Sequence, residues 1–121
     1  GLLRYSLLIE ENKNDEAKNL LENLKERSKD FPIIHDYIVL QESNMFFKEN
    51  RISEININQL EEISEKGRPW NGSALIFCAL ISSEKGDNEK AKYYLSKIID
   101  DRESSLLIKE KANFILSILS E

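Results

Sequence analysis

Side chains suited to chemistry are few in this sequence and stand far apart. The chain has one histidine, His35, and one cysteine, Cys78. A zinc site takes about four ligands, so these two residues could form one only with several carboxylates. His35 stands beside Asp36 near the start of a predicted helix. The simplest interpretation is an exposed histidine without a chemical role, and a pH sensor is the alternative.

Cys78 lies in the most apolar segment of the chain, which predicts a small packing residue. A reactive thiolate would need an exposed, electropositive setting, and the neighbouring residues do not indicate one. A single cysteine also allows no intrachain disulfide. This suits a reducing compartment without requiring one.

Paired carboxylates occur at Glu10-Glu11, Glu61-Glu62 and Asp100-Asp101. Adjacent residues on a helix point about 100° apart, so neither Glu pair is expected to converge on one site. The Asp pair is interpreted as a solvated helix end or a cap for the last helix. The sequence also lacks the glycine-rich, nucleophile-elbow and metalloprotease motifs of common enzyme families. We therefore expect no catalytic residues, no metal and no cofactor.

The composition predicts which elements carry these side chains. Only four Gly and two Pro occur in 121 residues, and 40% of the residues are hydrophobic. So few breakers favour long helices over a sheet with many turns, and the predicted fold class is all-α. The net charge is −5, from 17 basic and 22 acidic residues, without a basic cluster. Nucleic acid is therefore not an expected partner.

Seven helices are predicted from apolar spacing, caps and breakers. They cover roughly residues 2–11, Asn14 onward, 32–49, Ser53 to Gly67, Pro69 to Gly86, Asp87 or Asn88 onward, and 104–120. Two of them show apolar residues at offsets 0, 3, 4 and 7, which is one helical face. Those residues are Ala17, Leu20, Leu21 and Leu24 in one helix, and Ala91, Tyr94, Leu95 and Ile98 in the other.

A repeat of about 37 residues relates these helices. The turn residues Asn12, Asn50 and Gly86 follow one another at intervals of 38 and 36, and Ala17 and Ala91 stand 74 apart, twice 37. A single helix pair cannot bury its apolar stripe, so repeats of this kind stack. The prediction is one domain over 1–121, built as a tetratricopeptide-like α-α superhelix. Its units are about 1–30, 31–67 and 68–101, followed by a C-terminal helix over 104–120; a helix bundle with short loops is the alternative.

The first helix of each pair should line a concave face that binds a partner. The residues expected there are Tyr37, Gln41, Lys48, Phe77, Leu80 and Glu84. Core filling or solvated surface is the competing interpretation for each of them. Trp70 is either a binding anchor or a packing residue between repeats. In the last helix, a second apolar strip (Leu107, Phe114 and Ile118) either covers the preceding pair or mediates self-association.

The segment Gly86-Asp87-x-x-x-Ala91-x-x-Tyr94-Leu95 resembles the middle of a tetratricopeptide repeat. Pro32 opening one pair, Pro69-Trp70 opening the next, and a final helix after a charged loop more specifically resemble the YfgM-type ancillary subunit of the bacterial Sec translocon. The second unit departs from the pattern because it lacks the turn glycine and has Asn56 where alanine is expected.

This resemblance implies a short cytoplasmic tail, one membrane helix and a repeat domain at the periplasmic face of the bacterial inner membrane. It implies translocon subunits, periplasmic chaperones or exported clients as partners, and no catalytic residues. Because the sequence begins at Gly1 inside a predicted helix, we expect a fragment whose membrane attachment lies in a segment absent from it. A cytoplasmic helical-repeat adaptor is one alternative. A helical domain with a cleft for a small ligand is another.

Overall fold

The computed structural model describes residues 14–120, and over this range it contains α-helices and one 3-10 turn but no strand. The all-α prediction is therefore confirmed for the described residues. The helices are α1 (Asn14–Arg27), α2 (Pro32–Lys48), α3 (Ile57–Ile63), α4 (Asn71–Glu84), α5 (Asn88–Asp100) and α6 (Leu106–Leu119). The predicted helix over 2–11 and the turn residue Asn12 lie outside the described residues. In the described part, no helix is both long and apolar enough to cross a bilayer.

The chain divides into two compact units, an N-terminal unit (Gly1–Ile55) and a C-terminal unit (Asn56–Glu121). The boundary lies inside the predicted second repeat over 31–67. As a result, α2 belongs to one unit and α3 to the other.

In the N-terminal unit, α1 packs against α2 through the predicted apolar face. Ala17 and Leu21 are fully buried, and Leu20 and Leu24 are half-buried. Lys25 on α1 forms an ion pair with Glu42 on α2, with 2.9 Å between the ammonium and the nearer carboxylate oxygen. Burial on α2 extends around much of its circumference, as predicted for a helix that is apolar on nearly every side. Its buried apolar residues are Ile38, Val39, Leu40, Met45 and Phe46.

The same corner follows α2 and α4. Asn50 has φ 57° and Gly86 has φ 83°, so both residues take the left-handed conformation expected of them. The amide of Asn50 donates to the carbonyl of Phe47, and the next amide donates to that of Phe46. Gly86 and the residue after it repeat this pattern on Ser83 and Ser82. Both corners are Schellman motifs, 36 residues apart, which satisfy the last carbonyls of their helices.

The segments that follow these two corners differ. After Gly86, Asp87 caps α5 at once by accepting a hydrogen bond from the amide of Lys90 at 3.1 Å. After Asn50, a 3-10 turn over Ile52–Glu54 intervenes before the next helix. The predicted start of a helix near Ser53 is therefore wrong.

Asn56 is the N-cap of α3, and its side chain accepts a hydrogen bond from the amide of Gln59 at 3.1 Å. This explains why Asn rather than a small alanine stands at this position: the residue precedes the helix instead of packing within it. Ile55, which is buried, is held in an extended conformation just before the cap. The C-terminal end differs from the prediction as well. The helix ends at Ile63 with Ser64 as its C-cap, and Gly67, with φ 91°, lies in the turn beyond.

In the C-terminal unit, α4 packs against α3 and α5, and α6 packs against α5 and α4. The predicted face of α5 is confirmed, since Ala91, Tyr94, Leu95 and Ile98 are all buried. A Cβ added at Gly72 would lie 3.0 Å from Ile108, so the start of α6 closely approaches the start of α4. Ala112 is the fully buried residue of α6.

The second strip of α6 does not cover the preceding pair. Leu107, Phe114 and Ile118 expose 62%, 66% and 51% of their surface. The first of the two predicted roles for this strip is therefore wrong.

Candidate binding cleft

An open cleft with a volume of about 740 Å³ lies in the C-terminal unit, between the C-terminal end of α3, the start of α4 and the C-terminal half of α5. Its apolar and aromatic lining comes from Leu75, Tyr93 and Tyr94, and its neutral polar lining from Ser64 and Asn71. The charged lining consists of Glu61, Glu65, Lys66, Lys97, Asp100 and Asp101.

The two tyrosines have different roles because adjacent helical residues point in different directions. Tyr94 is buried, and its hydroxyl donates a hydrogen bond to Glu61 Oε1 at 3.1 Å, which joins α5 to α3. Burial is the main cause, and this hydrogen bond the second, that raises the pKa of Tyr94 above its ordinary value. The hydroxyl therefore remains a donor. Tyr93 is 55% exposed, with its ring centroid 5.8 Å from that of Tyr94. Its ring is therefore available to a ligand.

The charges around the cleft favour a cation. Four carboxylates and two ammonium groups line it, so the formal charge of the lining is −2. The C-terminal end of α5 carries a partial negative charge, which also favours a positively charged ligand. The ammonium of Lys97 lies 4.6 Å from the centroid of the Tyr93 ring. This face of the ring therefore accommodates a positive charge.

A smaller cavity of about 260 Å³ shares Tyr94 with the cleft and includes Cys78 in its lining. Cys78 is only 2% exposed, and burial raises the pKa of its thiol to about 12. A buried, protonated thiol is a poor nucleophile. The interpretation of Cys78 as a packing residue is thus confirmed.

Among the described residues, no group of three or more His, Cys, Asp and Glu side chains is arranged to hold a metal ion. A family model described as "Protein of unknown function (DUF2659)" matches residues 2–119 of the chain. The chain belongs to this family. No curated protein and no solved structure matches it significantly. The description of this family gives no activity, so a proposed function must come from the cleft and the exposed surfaces.

The residues expected on a concave face fall into two groups in this DUF2659 chain. Tyr37, Gln41 and Lys48 lie on α2 in the N-terminal unit; Phe77, Leu80 and Glu84 lie on α4 in the C-terminal unit. Offsets of 0, 4 and 11 in the first group and 0, 3 and 7 in the second place each group on one side of its helix. Lys48 and Glu84 are exposed and the other four are half-buried. None of the six, all within the described part of the chain, lines the cleft.

Sequence reasoning missed the cleft although it considered several of its residues. It treated Tyr94 as core and set aside Glu61 because adjacent glutamates on a helix point apart. It interpreted Asp100-Asp101 as a solvated helix end or a cap for the last helix. The argument holds for the Glu pair, because Glu62 does not line the cleft, whereas both members of the Asp pair do. The convergence is between Glu61 on α3 and the Asp pair at the C-terminal end of α5. The available signal was Tyr94 itself, since a tyrosine on a buried face needs a hydrogen-bond acceptor from a neighbouring element.

Proposed function

We propose that this chain is a non-catalytic protein–protein interaction module, and that its cleft binds a partner segment carrying Lys or Arg beside an apolar side chain. The observation that carries the proposal is the exposed Tyr93 ring, which lies among four carboxylates and already has the Lys97 ammonium against it. A guanidinium or ammonium from a partner would find the same ring and an excess of negative charge.

The expected affinity is moderate because each contact is small. A cation over an exposed tyrosine ring contributes about 0.5–1 kcal/mol, and an exposed ion pair about 0–1 kcal/mol. The exposed Tyr93 ring adds apolar area for the side chain next to the cation. Several such contacts are needed together. The proposal therefore requires a peptide segment of several residues, with an affinity that falls as salt screens the carboxylates.

At the level of architecture, we infer a tetratricopeptide-like arrangement of stacked pairs. The support is the pair of matched Schellman corners at Asn50 and Gly86, and the two fully buried alanines, Ala17 and Ala91, two periods apart. Within each unit, the residues expected on a concave face would provide further partner contacts: Tyr37, Gln41 and Lys48 on α2, and Phe77, Leu80 and Glu84 on α4.

For the cellular setting, the resemblance to the YfgM-type subunit supports a periplasmic location at the inner membrane, with translocon subunits, chaperones or exported proteins as partners. The same cleft would serve a cytoplasmic adaptor equally well. Protease protection of the full-length protein in intact spheroplasts separates the two. Digestion of this domain from outside supports the first location, and protection supports the second.

A small cationic ligand is the second candidate, because 740 Å³ lies within the usual range of small-molecule pockets and Tyr93 could stack on such a ligand. The two candidates differ in how affinity depends on ligand length. A peptide site gains affinity as flanking residues are added to a single Lys or Arg. A small-molecule site reaches its full affinity with the isolated cationic group.

The test is a selection of random linear peptides on the purified chain, followed by titration of the strongest binder. We expect Lys or Arg next to an apolar residue to be enriched. Tyr93→Ala should weaken binding about fivefold, from the loss of about 1 kcal/mol of ring contact. Glu65→Gln combined with Asp100→Asn should weaken it further and reduce its salt dependence. Both carboxylates are exposed, so these variants should fold normally.

The matched controls lie in the N-terminal unit. Phe31→Ala removes another exposed aromatic ring, and Asp15→Asn with Glu22→Gln removes the same two charges from exposed positions. Both controls should bind as the unchanged chain does. Selected peptides without basic residues, or equal losses in the cleft variants and the controls, would overturn the proposal.

A further inference from the structure

The apolar strip of α6 has a spacing that suits pairing with another helix. With Lys111 included, the strip consists of four residues, Leu107, Lys111, Phe114 and Ile118. Their intervals of 4, 3 and 4 are the spacing of core positions in a two-stranded coiled coil. All four are exposed. The helix packs on its own unit through the side that carries Ala112, so the strip faces away from that contact.

The strip is complementary to itself when two copies run in opposite directions. A twofold axis between residues 112 and 113 would place Leu107 against Ile118 of a second copy, and Lys111 against Phe114 of that copy. Aliphatic residues then meet in the outer layers. In the two inner layers the lysine stem covers an aromatic ring and its ammonium can reach the ring face.

A parallel pairing of the same strip is disfavoured by charge. It would bring Lys111 directly against Lys111 of the other copy, which buries two like charges without a partner. The antiparallel pairing avoids this, because each Lys111 faces a ring instead. At the solvent-facing edge of the helix pair, Glu110 would lie near Ser117 of the second copy. Like charges therefore do not oppose one another at this edge either.

We propose that the chain forms a twofold symmetric dimer by antiparallel packing of α6 on α6. The observation that carries the proposal is the exposed strip with coiled-coil spacing. The occupant is a second copy because, in the opposite direction, the same strip places Ile118 against Leu107 and Phe114 against Lys111. The seam is short, since a helix of 14 residues is about 21 Å long. The dimer should therefore be weak, because so short a seam buries less area than a standard stable interface. The proposal is independent of the cleft.

The first measurement is sedimentation velocity of the chain over a concentration series from low micromolar to several hundred micromolar. We expect a reversible monomer–dimer equilibrium. Phe114→Lys should raise the dissociation constant by at least about tenfold, because two lysines then face each other in both inner layers. Phe31→Lys, at a similarly exposed aromatic position in the N-terminal unit, is the control and should dimerise normally.

The second measurement tests orientation. Leu107→Cys and Ile118→Cys proteins are mixed and treated with a short thiol–thiol cross-linker; the native Cys78 is buried, and the unchanged chain provides the blank. The antiparallel dimer predicts mainly a product joining position 107 of one copy to position 118 of the other. A monomer at all concentrations, a dimer unaffected by Phe114→Lys, or dominant 107–107 and 118–118 products would overturn the proposal.

Discussion

At the residue scale, the left-handed corners at Asn50 and Gly86 connect sequence to fold most directly. Asparagine and glycine are the residues that tolerate positive φ, and the two corners form the same hydrogen bonds on the helices before them. Since a Cβ at Gly86 would meet nothing within 4 Å, the cost of a substitution there is backbone strain rather than a clash.

Gly86→Val should therefore destabilise the chain by about 2 kcal/mol or more, because β-branched residues tolerate positive φ poorly. Gly86→Asn should cost well under half of that. Lys85→Val is the matched control, since the neighbouring residue has φ −82°. Urea unfolding monitored by circular dichroism measures all three. Equal losses for Asn and Val at position 86 would contradict this account of the corner.

A second residue-scale prediction concerns Glu54 in the N-terminal unit. Its carboxylate accepts hydrogen bonds from Arg51 and lies 3.2 Å from the Lys18 ammonium. The hydrogen bond with Arg51 is the main cause that lowers the pKa of Glu54 from 4.5 to about 2. Because the folded pKa is the lower one, the stabilisation is present above pH 4.5 and is lost as the pH falls toward 2.

Glu54→Gln should thus lower the melting temperature slightly at pH 6, and the difference from the unchanged chain should shrink by pH 2. Glu54 is exposed and Arg51 is half-buried, so salt reaches this ion pair and 1 M salt should shrink the pH 6 difference as well. Calorimetry at the two pH values measures this. A difference that is the same at pH 2 and pH 6 would mean that the ion pair does not stabilise the fold.

At the element scale, the contact between α4 and α5 depends on a small residue. Ala91 has 0% exposure on the buried face of α5. Ala91→Leu should cost about 1–3 kcal/mol by overpacking. Glu89→Leu, at an exposed position of the same helix, is the control and should change stability far less. Unchanged unfolding of Ala91→Leu would show that the two helices do not approach closely at this residue.

The helices were predictable where a local pattern determines them. The face of α5 and the start of α2 at Pro32 follow from apolar spacing and from the tolerance of proline in a first helical turn. The start of α3 was missed because two polar residues compete for the cap. Ser53 and Asn56 both suit an N-cap, and the burial of Ile55 in an extended conformation favours the later one.

The cleft was not predictable in the same way because it depends on three helices at once. The distance from Tyr94 to Glu61 is set by how α3 and α5 pack, and 33 residues separate the two in sequence. Spacing within a helix carries no information on that distance. It does identify the exposed strip of α6, whose residues were recognised as lying off the main apolar face.

At the scale of the whole molecule, charge restricts the choice of partner. The net charge of −5 opposes polyanions, and the excess of carboxylates around the cleft attracts basic segments. The proposed function and the proposed dimer use two different surfaces, the cleft for a partner and the α6 strip for a second copy. A module of this kind could present two cleft-bearing units in one dimer, which would strengthen binding to partners with repeated basic segments.

Binding of a basic segment in the cleft is tested most directly by an NMR titration of the isotope-labelled chain with the selected basic peptide. We expect the largest amide shifts to cluster at Asn71, Tyr93, Lys97 and their neighbours around the cleft, and we expect Glu65→Gln with Asp100→Asn to reduce them. Shifts confined to the surfaces of Tyr37 or Phe77, or scattered without a cluster, would contradict the assignment of the cleft as the binding site.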